Sequence, residues 1–485
     1  MVNLRKAVMS IFLCLLVVCG LFAAELGKTA DLVPATTVGL LKIDDFSAFK
    51  TKLEQTSTYG LFTDPAMKGF VEKLKSGIKE KLESNTNEII DVLVDPNVLP
   101  QGRVALALVL NDKAMEAGEP MALSISQWGS NAEKLRDAID SAVQEAVDEG
   151  AGLKEEQFRG TLIKTVIGKD EQRLGYGFGP KLNYCFLDDT LILCEDIEII
   201  KYVLARADGA GASALGSDND FSSTMAAVDG GKGTTVDVYV NIKRIIEAFS
   251  AADASGKVRE TVSKLGVDNA TGMGISFTPA ASQRVDVSGK ALLKVKGSKK
   301  GLLKILEPQS GTLEAPDFVP ASSYSMWMYN LDISKAFNEL AGLLTSFSPQ
   351  AAAFLHMPLM PPQQDGSGGI TLTKDVIAHL GSGVMTYATI EQPYEQKVNP
   401  KSTFAMAVSN PQALEGSLTK LHGMYIGQGR EDATKELLGH TIYLMDMTSM
   451  PMFMGQGKSP MRKTLQDAPA GPGPQMPKFA FTITD

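Results

Sequence analysis

Val33-Pro34-Ala35-Thr36-Thr37, followed by Leu41-Lys42-Ile43-Asp44, is the stretch that decides the fold, because it occurs twice in the chain. It returns as Val319-Pro320-Ala321-Ser322-Ser323, followed by Tyr329-Asn330-Leu331-Asp332. A long-period recurrence of this kind is typical of a duplicated structural unit. Duplication predicts how the chain is built, but it does not say what the chain binds.

The matches continue in the same order along both halves of the chain. They pair Ala48-Phe49 with Ala336-Phe337, Gly102 with Gly383, Ser130-Asn131 with Ser409-Asn410, Gly160 with Gly439, and Lys181 with Lys478. Residues corresponding to 190–311 are missing from the second copy. We therefore expect a signal peptide at 1–24, a first α+β unit at 25–313 and a second, truncated α+β unit at 314–485.

Local signals within the first unit predict mixed helices and strands. Apolar residues at 38–43 predict a strand, and Asp44 or Asp45 is placed to cap the helix that follows. Further strands neighbour one another through short loops, with helices interspersed irregularly, which favours antiparallel pairing. The predicted fold class is α+β, as two tandem copies of a mixed helix and mostly antiparallel sheet unit, the second copy incomplete.

The second copy stops matching on a predicted strand at 478–483, which corresponds to 181–187 in the first copy. In the first copy this strand is followed by its predicted hairpin partner at 191–194. Without that partner, we expect an apolar strand edge that is open to self-association.

The N-terminus predicts export. Arg5 and Lys6 precede an apolar run at 7–24, which is the order of a signal peptide. Cleavage after Ala24, retention as a membrane anchor, and lipid attachment at Cys19 all remain open. The expected location is the periplasm, the cell envelope or the extracellular space, with membrane contact only through an uncleaved or lipidated N-terminus.

The charge and the cysteine content limit the partners and the chemistry. The formal net charge is −9 and no long basic stripe is present, so we expect no nucleic-acid partner. Outside the N-terminal segment only Cys185 and Cys194 remain. If Asp188-Asp189 forms a two-residue turn, the two cysteines lie diagonally; a turn one place later puts them opposite, where a disulfide fits better.

No catalytic motif is complete. Ser47 and Lys50 form a Ser-x-x-Lys and Ser217-Asp218-Asn219 follows, but Lys232-Gly233-Thr234 has the wrong order for the third element of a serine β-lactamase signature. The glycine-rich segments at 175–179 and 230–233 lead into strands rather than helices, so they do not predict phosphate binding. We assign no catalytic residue and no cofactor, and the sequence favours a protein that is not an enzyme.

A methionine-rich insertion distinguishes the second copy. Gly439 and Lys478 are 39 positions apart, against 21 for Gly160 and Lys181. Thioethers and imidazoles are ligands for Cu(I). The copper candidates are Met445, Met447, Met450, Met452, Met454 and His440. Contact with an apolar or lipid surface, and a purely structural loop, are the alternative interpretations.

The Val-Pro-Ala openings, Asp64-Pro65 before a helix, the hairpin at 187–191, Leu265-Gly266-Val267 before a strand, and the exported N-terminus together form a spaced pattern. This pattern resembles a family of exported bacterial proteins of unknown function with duplicated Val-Pro-Ala-(Thr/Ser) units. The resemblance implies export and supplies no catalytic residues.

The expected function is that of an exported, non-catalytic envelope or secreted interaction protein. One alternative is an extracytoplasmic binder of a ligand, lipid or copper that uses the methionine-rich loop or the groove between the two units. A hydrolase with a dispersed site is a further alternative, because residues of a dispersed triad leave no local pattern in one sequence.

Overall fold

The computed structural model describes residues 28–83, 98–117, 119–169, 180–228, 234–280, 285–360, 362, 369–390, 401–424, 434–437, 439–446 and 478–483. The predicted signal peptide at 1–24 lies outside the described residues. The chain divides into two compact units. Unit 1 comprises Met1–Val262 and Asp268–Ser298, and unit 2 comprises Ser263–Val267 and Lys299–Asp485.

Unit 1 is built on one antiparallel sheet with the strand order β10-β9-β8-β1-β2-β3-β7-β6-β5-β4. Its strands are β1 (Thr37–Ile43), β2 (Val104–Val109), β3 (Met121–Gln127), β4 (Gly152–Phe158), β5 (Thr161–Ile167), β6 (Lys181–Leu187), β7 (Thr190–Cys194), β8 (Val236–Val240), β9 (Ala270–Pro279) and β10 (Val287–Val295). Strand β7 pairs with both β3 and β6, so it joins the two halves of the sheet.

The helices beside this sheet are α1 (Thr29–Leu32), α2 (Phe46–Glu54), α3 (Ser57–Thr63), α4 (Lys68–Glu83), α5 (Asp112–Ala117), α6 (Ala132–Asp148), α7 (Ile197–Ala207), α8 (Asn219–Val228), α9 (Ile242–Ala252) and α10 (Lys257–Leu265). Short 3-10 helices cover Pro65–Met67, Gly129–Asn131 and Leu215–Ser217. The chain thus interleaves helices irregularly among antiparallel strands.

Local chemistry explains several of these boundaries. The Asp45 carboxylate accepts a hydrogen bond from the Ala48 amide and so begins α2, as the capping prediction required. Asp188 has a φ of 52°, and Leu187 lies opposite Thr190, so Asp188-Asp189 is a two-residue hairpin turn. Asn131 precedes α6 but makes no capping hydrogen bond with its side chain, whose amide donates instead to the carbonyl oxygen of Leu99.

The two faces of the unit 1 sheet carry separate cores. On one face, buried residues of β2, β3, β6 and β7 pack with α7 and α8, with Leu123, Ile125 and Ile192 among the most buried. On the other face Trp128 and Tyr184 pack against Leu135 and Ile139 of α6. Because successive residues of a strand point to opposite faces, β7 contributes to both cores.

Unit 2 contains smaller antiparallel sheets. Its strands are β11 (Ser323–Asp332), β12 (Pro358–Met360), β13 (Ile370–Thr371), β14 (Leu380–Thr389), β15 (Lys401–Val408), β16 (Thr434–Leu437), β17 (His440–Asp446) and β18 (Lys478–Phe481). They form sheets β11-β14-β15, β12-β13 and β16-β17-β18. The helices are α11 (Leu302–Ile305), α12 (Ile333–Phe347), α13 (Pro349–Leu355), α14 (Leu372–Asp375) and α15 (Pro411–His422), with a 3-10 helix at Ile377–His379.

The α+β fold class with mostly antiparallel sheets is therefore confirmed. The interpretation of the two units as copies of one fold stays a prediction. Among the described residues, no helix has the length and apolar character needed to cross a membrane.

Candidate functional site

The Ser-x-x-Lys motif does not form a nucleophile and its base in the structure. Ser47 Oγ donates a hydrogen bond to the Gln101 carbonyl oxygen at 2.9 Å. Lys50 Nζ forms an ion pair with Glu54 one helical turn later, at 2.9 Å. Ser217 Oγ donates to the Ala214 carbonyl oxygen. Lys50 and Ser217 make local structural contacts, and Ser47 is held by the backbone of a segment distant in the chain.

Most of the copper candidates lie outside the described residues, namely Met447, Met450, Met452 and Met454. His440 begins β17, and Met445 lies on the same strand. Among the described residues, no group of three or more His, Cys, Asp or Glu side chains has the spacing of a metal site. The copper hypothesis therefore keeps its sequence basis and gains no geometric support.

The two cysteines of unit 1 are buried free thiols. Cys185 lies opposite Ile192 and Cys194 opposite Asn183, which is the diagonal arrangement of the Asp188-Asp189 turn. Burial raises the pKa of each thiol to about 12. The thiolate, which is the reactive form, is thus suppressed at neutral pH.

A partly buried ionic network lies at the end of the β1–β8 pair. Lys42 Nζ donates a hydrogen bond to Asp44 and lies 3.2 Å from the Asp237 carboxylate. Ser276 Oγ donates to Asp237 at 2.7 Å, and Thr29 Oγ1 donates to Asp44 at 2.8 Å. Each carboxylate therefore has both a cationic and a hydroxyl partner.

The charges of this network stabilise one another. Burial opposes the charged form of Lys42, but the Asp44 and Asp237 carboxylates outweigh it and raise the Lys42 pKa above its ordinary value. Burial alone would raise the pKa of Asp44, but the Lys42 ammonium outweighs burial and lowers it. Groups held in their charged forms by each other are poor general acids or bases near neutral pH. We infer that the network stabilises the fold.

A shallow cavity of about 270 Å³ lies in unit 2 between the segment after α11 and the start of α12. The charged side chains at this cavity also pair with one another. Glu307 accepts from Lys299 at 2.8 Å and from Lys335 at 3.3 Å, and these bonds lower the Glu307 pKa. Gln309 donates to Asp332 at 3.2 Å. The lysines of this cavity are held by carboxylates, so they do not form an anion site.

The β11-β14-β15 sheet presents an uncovered apolar face. Trp327 on β11 lies opposite Thr386 on β14, and Thr386 lies opposite Phe404 on β15. The three side chains therefore form one row on one face of the sheet. Trp327 is 76% exposed and Phe404 is 63% exposed.

A second row of the same face is also apolar. Tyr329 on β11 lies opposite Val384, which lies opposite Met406 on β15. Tyr329 and Met406 are both exposed. On the other side of the sheet, Met385 of the central strand is buried. We call Trp327, Tyr329, Phe404 and Met406 the aromatic face.

The sequence predicted none of the aromatic face as a site. Residues 326–329 and 404–408 are continuous apolar runs, which are typical of a strand and do not indicate which of its faces is buried. Only the exposure of these side chains in the folded chain separates a binding surface from a core.

Comparison with known proteins yields one solved structure with a low TM-score. No protein-family model and no curated protein matches the chain. A solved structure titled "Structure of crystal form III of TP0453" matches at 10% sequence identity and covers 56% of this chain and 82% of that one. The TM-score of the superposition is 0.28, so no property of that protein is carried over.

Proposed function

We propose that the protein is an exported, non-catalytic interaction protein and that the aromatic face of unit 2 is its binding surface for a protein partner. The observation that carries this proposal is the exposure of Trp327 and Phe404 in one row of the sheet. Neighbouring large apolar side chains that are left exposed on a folded sheet mark an interaction surface.

The composition of this face supports a protein partner. Trp, Tyr, Phe and Met are the residue types that are enriched in the centres of protein interfaces. No charged side chain lies in either row, so a partner loses little hydration of charged groups when it covers them. Burial of such side chains drives association through the hydrophobic effect.

The test is site-specific photo-crosslinking in the producing cell. A benzophenone amino acid replaces Trp327 or Phe404, and in a matched control it replaces Phe249, which is also largely exposed and lies on α9 in unit 1. We expect one protein adduct of the same mass from positions 327 and 404, and none of that mass from 249. Adducts to lipid alone, or the same adducts from all three positions, would overturn the proposal.

A further inference from the structure

The second half of unit 2 contains strands and a helix in nearly the same order as part of unit 1. In unit 1 the order is β2, α5, β3, α6, β4, β5 and β6, and in unit 2 it is β14, β15, α15, β16, β17 and β18, with residues 391–400 between β14 and β15 outside the described residues. The neighbours within each series also pair alike, since β2–β3, β4–β5 and β5–β6 correspond to β14–β15, β16–β17 and β17–β18.

The residue registers agree with the sequence matches. With Gly160 aligned on Gly439, the pair Phe158 and Thr161 at the β4–β5 turn corresponds to Leu437 and His440, which are paired in β16–β17. The remaining two pairings agree in the same way: Val104 opposite Ser126 matches Met385 opposite Ala405, and Lys164 opposite Tyr184 matches Tyr443 opposite Phe481.

The helix between the two strand groups makes corresponding contacts. Asp140, the ninth residue of α6, accepts a hydrogen bond from Lys164 of β5 at 2.7 Å. Thr419, the ninth residue of α15, forms a hydrogen bond with Tyr443 of β17 at 2.9 Å. The Tyr443 ring stacks on Phe481 of β18, with centroids 4.8 Å apart. Helix α15 therefore contacts the middle strand of the β16-β17-β18 sheet as α6 contacts β5.

Strand β7, which follows the matched series in unit 1, has no counterpart among the described residues of unit 2. Strand β7 lies between β3 and β6 and is antiparallel to both. In the described part of unit 2, β15 pairs only with β14, and β18 pairs only with β17. The outer sides of β15 and β18 thus correspond to the sides of β3 and β6 that form backbone hydrogen bonds with β7 in unit 1.

The side chains beside this position differ accordingly in exposure. In unit 1, Ile125 and Cys185 flank Ile192 of β7, and each is 1% exposed. The corresponding residues of unit 2 are Phe404, which is 63% exposed, and Thr482, which is also exposed. Phe404 of the aromatic face therefore lies on the side of its sheet that corresponds to the core shared with α7 in unit 1.

The part of β15 that corresponds to the β7-paired residues of β3 carries no charge and no proline. Lys401 begins the strand, and residues 402–408 after it are uncharged and contain no proline. Natural edge strands are commonly guarded by inward-pointing charges, proline or bulges. An unguarded, apolar edge is the type of edge to which a further strand is added in peptide recognition.

We propose that unit 2 binds an extended, uncharged aliphatic segment of a partner protein, which adds antiparallel to both β15 and β18 in the place that β7 occupies in unit 1. The proposal rests on the proposed interaction function, because β15 carries half of the aromatic face. Backbone hydrogen bonds to the two edges supply affinity, and the alternating side chains of the segment supply specificity. Thr190–Cys194, with the sequence TLILC, is the internal template for its chemistry.

The test uses the full chain and a fluorescent peptide of residues 188–196 in which Cys194 is replaced by Ser, with lysines added at both ends for solubility. A matched peptide carries Ile192→Pro, because proline cannot donate to a ladder and disfavours a strand. We expect saturable binding of the first peptide and at least tenfold weaker binding of the second. Phe404→Lys in the protein should weaken binding at least tenfold, whereas Phe249→Lys should not.

Hydrogen exchange reports where the peptide binds, independently of the variants. The peptide should protect amides in both 401–408 and 478–483. Protection of only one segment overturns the bridging arrangement. A dimer of the chain that Phe404→Lys dissociates, with no peptide binding, overturns the proposal in favour of a second copy as the occupant. A crosslinked partner at positions 327 and 404 without peptide binding leaves the interaction function standing and overturns the strand proposal alone.

Discussion

Trp327 and Phe404 lie two strands apart in one row of the β11-β14-β15 sheet, on either side of Thr386, and both are largely exposed. In a folded protein, a row of this kind is ordinarily covered by a helix or a second sheet. The corresponding row in unit 1 includes Ile125, which is buried in the core that also contains residues of α7. Phe404 thus occupies a position that is buried in unit 1, and Trp327 lies in the same exposed row.

The two tryptophans of the chain should respond differently to a soluble quencher. Trp128 is 2% exposed, whereas Trp327 is 76% exposed. We expect acrylamide to quench the fluorescence of Trp128→Phe, which retains only Trp327, strongly. The variant Trp327→Phe, which retains only Trp128, should be quenched weakly until the protein is unfolded. Equal quenching of the two native variants contradicts the exposure of the aromatic face.

Truncation of corresponding strand residues should have unequal effects on stability. Ile125→Ala removes buried methyl groups and should lower the free energy of unfolding of unit 1 by about 3 kcal/mol. Phe404→Ala acts on an exposed side chain and should change the stability of unit 2 by less than about 0.5 kcal/mol. Denaturant unfolding measures the two changes in unfolding free energy, and hydrogen exchange assigns each change to its unit. A large loss in Phe404→Ala would falsify the uncovered face.

The thiols of Cys185 and Cys194 should be unreactive in the native protein. Both are buried, and burial raises the pKa of each to about 12. At pH 8 we expect a thiol reagent to label neither until denaturant is added, while an exposed cysteine introduced by Ser76→Cys reacts at once. Peptide mass spectrometry locates the label. Labelling of Cys185 in the native state at the rate of the control contradicts its burial between β5 and β7.

Unit 1 should lose stability in acid through Asp44. Its pKa is lowered in the folded state, because Lys42 outweighs the effect of burial, so the ionised carboxylate stabilises the fold above its unfolded pKa of 3.8. That contribution is lost as the pH falls from about 4 through the folded pKa. Asp44→Asn should flatten the dependence of unfolding free energy on pH in this range. Glu72→Gln, which breaks an exposed ion pair with Lys68, serves as the control and should leave it unchanged.

Part of the fold followed from local signals in the sequence. The sequence offered Asp44 or Asp45 as the cap of α2 and Asp188-Asp189 or the next position as the turn, and the structure has the Asp45 cap and the Asp188-Asp189 turn. Residues 242–265 form two helices, because the Asp253 carboxylate accepts from the Ser255 and Val258 amides and caps the second one. Hydrophobic periodicity alone does not show where a cap such as Asp253 divides one predicted helix into two.

The aromatic face could not be predicted as a site from the sequence. The signature motifs directed attention to Ser47 and Lys50, which make structural contacts, and to methionines that lie largely outside the described residues. The pairing of Lys42 with Asp237 joins positions that are distant in the chain, as does the row of Trp327 and Phe404. Such pairs depend on which strands become neighbours.

The sequence by itself determined that this is an α+β protein with antiparallel strands, because alternation, caps and turn residues act over distances of a few residues. Tertiary structure alone decided which apolar strand faces are buried. Ile125 and Phe404 occupy corresponding positions of β3 and β15, yet one lies in a core and the other is exposed. Burial depends on whether another layer packs against the face, and in unit 1 helix α7, far from β3 in the chain, contributes to the core that contains Ile125.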